Sequence, residues 1–484
     1  MAGILSYGAY VPFYRLPLAE ISKAWGGRAL PGEKAVASFD EDSLTMAVAA
    51  AIDCLKGINR EDIDGVYFAS TTAPYKEKQT AAIIAQALNL KTSLSTIDFS
   101  GSLRSGTNAL QSALNAVNSG SVNNILLCAT DMRPAHPNGD KELSFGDGAA
   151  AFLIGKKNVA VEITDCYSQF SELMDVWRSD KDDYVRSWED GFIYSQGFVS
   201  VVGQSVAKAL KRFNLAPKDF NRAAFYAPNA RQLDVIAKKT GFDINTQIND
   251  VILSGVGNTG SAMALMSLVA VLEEASAGEK ILLVSYGDGC DVFSMNTTEF
   301  ISKIKDRRGI RGHIASKQML SNYNRYLLWR EQVNTEPPRR VLLERPSSVA
   351  LWRDNKSGLA FYGVKCKSCG KAQYPPQRIC MGCGTKDKFE DHCFADKNGK
   401  VTAFSHDMLG VSLDPPITGA TIDFEGGGRI KLDMTDRVPD KVYVGMDIEM
   451  TFRKLRYVNG IHDYWWKCRP IRSLKEDKRR NTHG

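Results

Sequence analysis

Histidine is scarce in this chain: there are six in 484 residues, and His136 is the only one before His313. A general base in that long leading stretch is therefore His136, a carboxylate or a tyrosine. No apolar run approaches the roughly 20 residues a membrane-spanning helix needs. The opening MAGILSYGAYVP lacks the basic region and cleavage pattern of a secretory signal, so a soluble cytoplasmic protein is expected. Charge is not strongly one-sided either, at a formal +6. The basic run Lys475–Arg480 is interleaved with acids and reads as a solvated end, so no nucleic-acid partner is expected. Cysteine is unevenly placed, with four of the ten inside one 18-residue stretch. That is not a secreted disulfide framework; reduced thiols and one metal site fit better. What is present is ordinary globular material, 44% hydrophobic and 24% charged, long enough for at least two cored domains.

Two halves of the first 300 residues share a rhythm. Strand-like GILSYGAYV and GVYFAST lead to a helical TAAIIAQAL, then STIDFSG enters an amphipathic stretch from Leu103 to Val117, and NILLCATD and GAAAFLIG close the unit. The second half runs through SVAKALKRF, RAAFYAPN, LDVIAKKT, AMALMSLVAVLEEA and KILLVSYGD. Apolar strands alternating with helices predict mostly parallel sheets covered on both faces, in a duplicated α/β arrangement. After Glu299 the composition shifts: KIKDRRGIRGH is basic and turn-rich, SNYNRYLLWREQV reads as a surface helix, and EPPRR breaks it. Beyond Val341, short strands such as KVTAFSHDML and YWWKCRPI predict a small antiparallel barrel.

Ahead of that barrel, Cys366 and Cys369, then Cys380 and Cys383, form two CxxC pairs separated by ten residues, each followed by glycine. Two such turns aim four thiolates at one cation, which is the pattern of a structural zinc site with no open coordination position. His392 and Cys393 lie nearby and are not needed as ligands.

From Ile4 to about Phe300 the chain resembles the thiolase superfamily, in its hydroxymethylglutaryl-CoA synthase and ketoacyl synthase III branch. The carriers are DFSGSLRSGTNALQ (98–111), FGDGAAAFLIG (145–155), YAPN (226–229), GVGNTGSA (255–262) and SYGDGCDVF (285–293), in that order and spacing. The resemblance implies an α/β, duplicated thiolase-like αβαβα layered fold over 1–303, in halves of about 1–160 and 161–303. Residues 341–473 resemble the acyl-CoA-associated OB-fold domain with its zinc ribbon. The expected order is thus a linker with a helix at 304–340, a zinc ribbon at 341–390, an OB-fold barrel at 391–473 and a charged tail at 474–484.

By the same resemblance, the family's nucleophilic cysteine, histidine and glutamate fall on Leu103, Tyr226 and Thr71. A hydrocarbon cannot form a thioester, so an acyl-cysteine intermediate is not expected. Ser102 and Ser105 flank Leu103 without an evident base. Asn258 is retained, and the turns at Gly146, Gly148, Gly287 and Gly289 could offer N–H donors to a thioester oxyanion. Tyr286 falls where thiolases carry a second, acid-base cysteine. An aldol or retro-aldol step on a 3-hydroxyacyl-CoA needs only an enolate holder and a proton shuttle at the β-oxygen. Tyr226 and Tyr286 could supply the shuttle, by a lowered pKa or as a hydrogen-bonded relay. His136, in the loop before the glycine turn, is a further candidate base, and Asp147 is expected to pin that turn. The segment 167–196, with Trp177, Trp188, Phe192 and Tyr194, could wall the acyl pocket, and Trp465 and Trp466 could contact the thiolase-like domain. The alternatives are a synthase-type acyltransferase with an altered site, or a non-catalytic chain bound to a thiolase-like partner. A CoA thioester substrate, structural zinc and a homodimer complete the expectation.

Overall fold

The computed structural model describes residues 2–248, 250–320, 322–336 and 347–472. They fall into two compact units, the first made of Met1–Ser38, Asp42–Ala85 and Leu90–Gln332, the second of Phe39–Glu41, Gln86–Asn89 and Val333–Gly484. The tail expected at 474–484, with Lys475–Arg480, and the break at 337–340 lie outside the described residues. No helix among them is long and apolar enough to cross a membrane.

The first unit carries nine main strands: β1 (Gly3–Tyr10), β2 (Gly65–Ala69), β3 (Ser95–Phe99), β4 (Ile125–Asp131), β5 (Gly148–Gly155), β6 (Val161–Phe170), β7 (Arg222–Phe225), β8 (Lys280–Tyr286) and β9 (Gly289–Thr297). Their order across the sheet is β7-β8-β9-β6-β1-β5-β4-β2-β3. The runs ILLCATD and GAAAFLIG of β4 and β5 are buried along their whole length, as strands covered on both faces must be.

Helices α1 (Ser43–Cys54), α2 (Thr80–Ala87), α3 (Ser105–Ser119), α4 (Ser200–Phe213), α5 (Ala230–Thr240) and α6 (Met263–Glu274) supply the layers. Helix α6 touches β1 and β5 from one half, β7 and β8 from the other, and α3 beside it, whereas α1 packs on β1, β4 and β5 and α4 on β6, β8 and β9. The order is helix, half-sheet, α3 with α6, half-sheet, helix: the expected αβαβα arrangement. Every side chain of α6 from Met263 to Leu272 is buried, and each large apolar one contributes about 1.5–3 kcal/mol of burial. Helix α1 starts where Asp42 accepts a 2.9 Å hydrogen bond from the Thr45 N–H in a capping box.

Three expectations change. The sheet is mixed, not mostly parallel: β2–β3, β2–β4 and β7–β8 are parallel, while β4–β5, β5–β1, β1–β6, β6–β9 and β9–β8 are antiparallel. Only two residues, Gly287 and Asp288, join β8 to β9, and so short a connection permits only a hairpin. The stretch read as a linker from 304 belongs to the first unit as far as Gln332. There α7 (Gly309–Ala315) packs on α6 and β1. Helix α8 (Tyr323–Trp329) is not a surface helix, since Tyr323, Tyr326, Leu327 and Trp329 are buried. The spacing of those four residues puts them on one face, which the intervening Asn and Arg residues obscure. Tyr323 donates to Glu142 at 2.8 Å. Arg330 just beyond forms a buried ion pair with Asp147, which also accepts from the Ala37 N–H at 2.7 Å.

In the second unit, β10 (Tyr362–Cys366), β11 (Ala372–Gln373) and β12 (Phe389–Cys393) form a small sheet. Strands β13 (Gly399–Asp407), β14 (Ile417–Phe424), β15 (Arg429–Met434), β16 (Asp447–Val458) and β17 (Ile461–Pro470) close a barrel in the order β13-β14-β15-β17-β16. Trp466, proposed from sequence as a docking residue, is 1% exposed and donates to the Leu359 carbonyl at 2.8 Å, while Trp465 packs against Phe361 and Tyr374. Both tryptophans are occupied inside their own unit. Arg453, 1% exposed, meets Asp40, Glu41 and Asp436.

Removing one partner of a buried ion pair leaves an uncompensated charge, at a cost of about 3–5 kcal/mol. Arg330→Leu should lower the free energy of unfolding by about that amount, and adding Asp147→Asn should restore part of it. A denaturation double-variant cycle showing simple additivity would contradict the pairing.

Candidate active site

The ends of β7 and β8, the start of α3 and the segments after β4 and β6 meet at one small cavity of about 50 Å3, lined by Leu103, Arg133, Lys141, Ser144, Phe145, Asp175, Val176, Ile193, Tyr194, Phe198, Tyr226, Pro228, Asn258 and Tyr286. None of these residues is a cysteine or a histidine. Leu103 reaches the cavity because the hairpin Gly287–Gly289 lies against the start of α3. Gly287 has φ +155°, and a Cβ there would stand 2.8 Å from the Leu103 Cβ. Buried Asp291 holds this contact, accepting from Arg104 at 2.8 Å and from Thr107 at 2.6 Å, while Arg104 Nε donates to the Gly287 carbonyl at 2.6 Å.

Tyr226 follows β7, its N–H donating to the Val284 carbonyl at 2.8 Å. Its hydroxyl accepts from Asn258 Nδ2 at 3.3 Å, and Asn258 Oδ1 accepts from the Gly260 N–H at 2.9 Å, which fixes the amide. Tyr286 ends β8, and its hydroxyl donates to Asp175 Oδ2 at 2.5 Å. The two phenol rings lie 6.1 Å apart with Phe198 edge-on to both. Burial pushes both phenols up from their ordinary range; the neighbouring Asp175 adds to this at Tyr286, and Arg133 opposes it at Tyr226. Neither is therefore a lowered-pKa base. Burial also raises the Asp175 carboxyl against its hydrogen bond from Tyr286.

Other expected residues fall elsewhere. His136 is exposed, its ring 4.0 Å from that of Tyr184, and it does not line the cavity. Of the glycines offered to an oxyanion, Gly146 donates its N–H to Asn258 O at 3.1 Å and Gly287 donates to Gly289 O at 3.1 Å. Those two donors are already used; a Cβ on Gly146 would lie 1.8 Å from the Val256 carbonyl oxygen, so this turn serves close packing. Gly148 and Gly289 begin β5 and β9 and do not line the cavity. Ser102 donates to the Gly287 carbonyl at 3.3 Å, and Thr71 offers its N–H to Asp131 at 2.7 Å. Cys290 is buried opposite Tyr286 in the hairpin, outside the lining. Of the four aromatics expected to wall the pocket, Tyr194 alone lines it, while Trp188 and Phe192 are exposed. The sequence reading missed Asp175 and Arg133; an isolated acid and an isolated base in loops gave no periodic or motif signal. A larger depression of about 1070 Å3 elsewhere has no cysteine or histidine in its lining. Four of its charges pair locally, Lys56 with Asp306 and Lys91 with Asp64.

In the second unit the Sγ atoms of Cys366, Cys369, Cys380 and Cys383 all lie within 4.8 Å of one another, with Cys366–Cys383 at 3.7 Å and Cys369–Cys380 at 3.5 Å. A tetrahedral zinc with bonds of about 2.3 Å sets its sulfurs about 3.8 Å apart, so the four fit. All four ligands come from the protein, and the metal there holds structure.

Residues 360–389 match the ChsH2 rubredoxin-like zinc ribbon domain. A hydroxymethylglutaryl-CoA synthase of Caldivirga maquilingensis is 32% identical over 341 residues, 68% of this chain and 97% of that protein. The chain belongs to the hydroxymethylglutaryl-CoA synthase family. A second relative with the same description, from Methanocaldococcus jannaschii, is 32% identical over 344 residues, 69% of this chain and 99% of its own. Among solved structures, a family member complexed with CoA is similar at TM-score 0.62 and 20% identity, covering 67% of this chain and 89% of that one. MvaS in complex with 3-hydroxy-3-methylglutaryl coenzyme A gives TM-score 0.60 at 18% identity, covering 70% and 94%. These two show the thiolase-like fold. As a member of this family, the chain joins a thiolase-like fold to a zinc ribbon at 360–389.

One zinc ion per chain is expected by elemental analysis, and Cys366→Ser should lose it. A chelator should make 347–472 sensitive to protease, since structural zinc supplies folding free energy; metal-free protein with unchanged protease resistance would rule this out.

Proposed function

We propose that the first unit makes or breaks the bond between the α and β carbons of a 3-hydroxyacyl-CoA, by an aldol or retro-aldol step without an acyl-enzyme. The observation that carries this reading is the opposite polarity of the two phenols. Tyr286 donates its proton to Asp175, which leaves its oxygen lone pairs for a substrate hydroxyl. Tyr226 accepts from Asn258 and donates to no partner among the described residues, which leaves its proton for an oxyanion. Their raised pKa values suit both roles, because each phenol stays protonated at rest.

In the cleavage direction, the β-hydroxyl proton passes to the Tyr286 oxygen as the Tyr286 proton passes to Asp175. The β-oxygen becomes a carbonyl, the Cα–Cβ bond breaks and its electron pair enters the thioester enolate, whose oxygen takes the Tyr226 hydrogen bond. Return of a proton to the α-carbon gives the shortened acyl-CoA and restores Asp175 as carboxylate. Synthesis is the reverse. Tyr286 is a relay, and Asp175 is the base that the sequence left unnamed.

The relatives' name favours a second reading, a synthase-type acyl transfer. That reaction needs a covalent acyl-enzyme, so an adduct in intact-mass spectra after incubation with acetyl-CoA would support it and defeat the aldol reading. We also infer a homodimer through β3, which ends the sheet, pairs only with β2 among the described strands, and exposes Ile97.

Against a panel of 3-hydroxyacyl-CoAs, Tyr286→Phe and Asp175→Asn should each lower kcat by at least roughly 100-fold while CoA thioester binding changes little. Unchanged turnover in Tyr286→Phe would end the proposal. Because the carboxylate form of Asp175 is required and its pKa is raised by burial, activity should fall on the acid side through a limb lying above the ordinary carboxylate range. That limb should disappear in Asp175→Asn.

A further inference from the structure

Helix α4 is preceded by a π-helical turn, Ile193–Val199, whose wide i→i+5 winding sets Ile193, Tyr194 and Phe198 along the cavity. Gly197 is buried among them. Its backbone is helical and open to any residue, so conformational freedom does not call for glycine here. Space does. A Cβ on Gly197 would stand 2.8 Å from Tyr286 Oη and 2.8 Å from Leu173 Cδ2, with Asp175 Oδ2 at 4.0 Å, whereas ordinary van der Waals contact begins at 3.4 Å.

The two atoms in the way differ in freedom. Leu173 Cδ2 ends a half-buried side chain that can turn aside. Tyr286 has no such freedom: Phe198 stands edge-on to its ring at 5.4 Å, Tyr226 lies 6.1 Å away, and its hydroxyl is tied to Asp175 at 2.5 Å. Asp175 is in turn fixed by its own stretch of chain, its N–H donating to the Leu173 carbonyl at 2.9 Å and its Oδ1 accepting from the Val176 N–H at 2.6 Å. A methyl at 197 therefore either pushes the Tyr286 hydroxyl off its line to Asp175 by about half an ångström or lifts the π-helical turn. The first lengthens the hydrogen bond and the second admits water beside it. A 2.5 Å bond from a hydroxyl to a carboxylate stands at the short, charge-assisted limit, and both changes weaken it.

We propose that Gly197 is a positioning residue, whose missing side chain lets the π-helical turn close on the Tyr286–Asp175 hydrogen bond and keep it short and dry. Gly197 exchanges no proton itself and acts through Tyr286. This rests on the relay proposed above and adds what sets its geometry.

Proton NMR of the full-length protein tests this without turnover. The Tyr286 hydroxyl proton, in so short a bond to a carboxylate, should resonate downfield of the amide protons and be absent in Tyr286→Phe and Asp175→Asn. Gly197→Ala should move it upfield and, against a 3-hydroxyacyl-CoA that wild type turns over, lower kcat at least roughly ten-fold with little change in thioester binding. Adding Leu173→Ala, which gives the methyl room on one side, should return part of both. Melting temperatures read the same contact: Gly197→Ala should lower Tm in wild type and lower it less in Tyr286→Phe, which has no hydroxyl for the methyl to meet. That comparison holds even where Gly197→Ala alone is too unstable for kinetics, because the double variant is then the folded one. A wild type with no downfield resonance, a resonance that Gly197→Ala leaves unmoved, or equal Tm losses in the two backgrounds overturns the proposal. So does an upfield shift with kcat unchanged. A wild type that cleaves no 3-hydroxyacyl-CoA defeats the aldol reading, and the resonance and the Tm comparison still decide what Gly197 does to the pair.

Discussion

The buried carboxylate of Asp291 fixes the geometry on which the cavity depends. Its two oxygens hold Arg104 and Thr107 in the first turn of α3, and Arg104 in turn holds the carbonyls of Gly287 and Asp288. One anion thus clamps a helix start in the first half of the fold to a hairpin in the second. The clamp is internal and hydrogen-bonded throughout, so it costs far less than an unpaired charge would. Without it, Leu103 and Tyr286 would have no reason to face the same space.

In the proposed reaction the chemistry follows from direction rather than from acidity. A phenol shifted downward would suit a simple base, but burial shifts both phenols upward. What separates their roles is which end of each hydroxyl is already used. Asn258, held by the Gly260 N–H, can only donate towards Tyr226. Asp175, as a carboxylate, can only accept from Tyr286. A pair of identical side chains is divided in this way into a donor and an acceptor by their second partners, and low dielectric sharpens the division.

Much of the frame was legible in the sequence because it rests on periodicity and on glycine-bearing motifs. The all-apolar β5, the central α6, the four-thiolate cluster and the short barrel strands each carry a pattern visible in the sequence. Strand direction was less legible, because a buried antiparallel strand reads as the same apolar run as a parallel one. Helix α8 was misread as a surface helix because the Asn and Arg residues between its buried aromatics suggest a wet face. The glycine turns were recognised, but their N–H groups were offered to a substrate when Gly146 and Gly287 spend them on the protein's own carbonyls. Asp175 and Arg133 could not be found from one sequence. Their significance lies in what surrounds them in space, and neither belongs to a spacing that predicts it.

Leu103 is the position where scaffold and chemistry part. The aligned dipoles of α3 favour negative charge at its start, which is where the resemblance places a thiolate. A hydrocarbon there cannot carry the charge, but it does not cancel the field. In an aldol step the anion belongs to the substrate: the enolate oxygen can occupy the region a thiolate would have held, with the Tyr226 hydroxyl as its hydrogen-bond donor. Leu103 then also keeps water from the α-carbon, so that the carbanion meets a carbonyl or the returning proton of Tyr286 and not solvent. In the proposed aldol step, a hydrocarbon at Leu103 thus leaves in place the field that a substrate enolate requires.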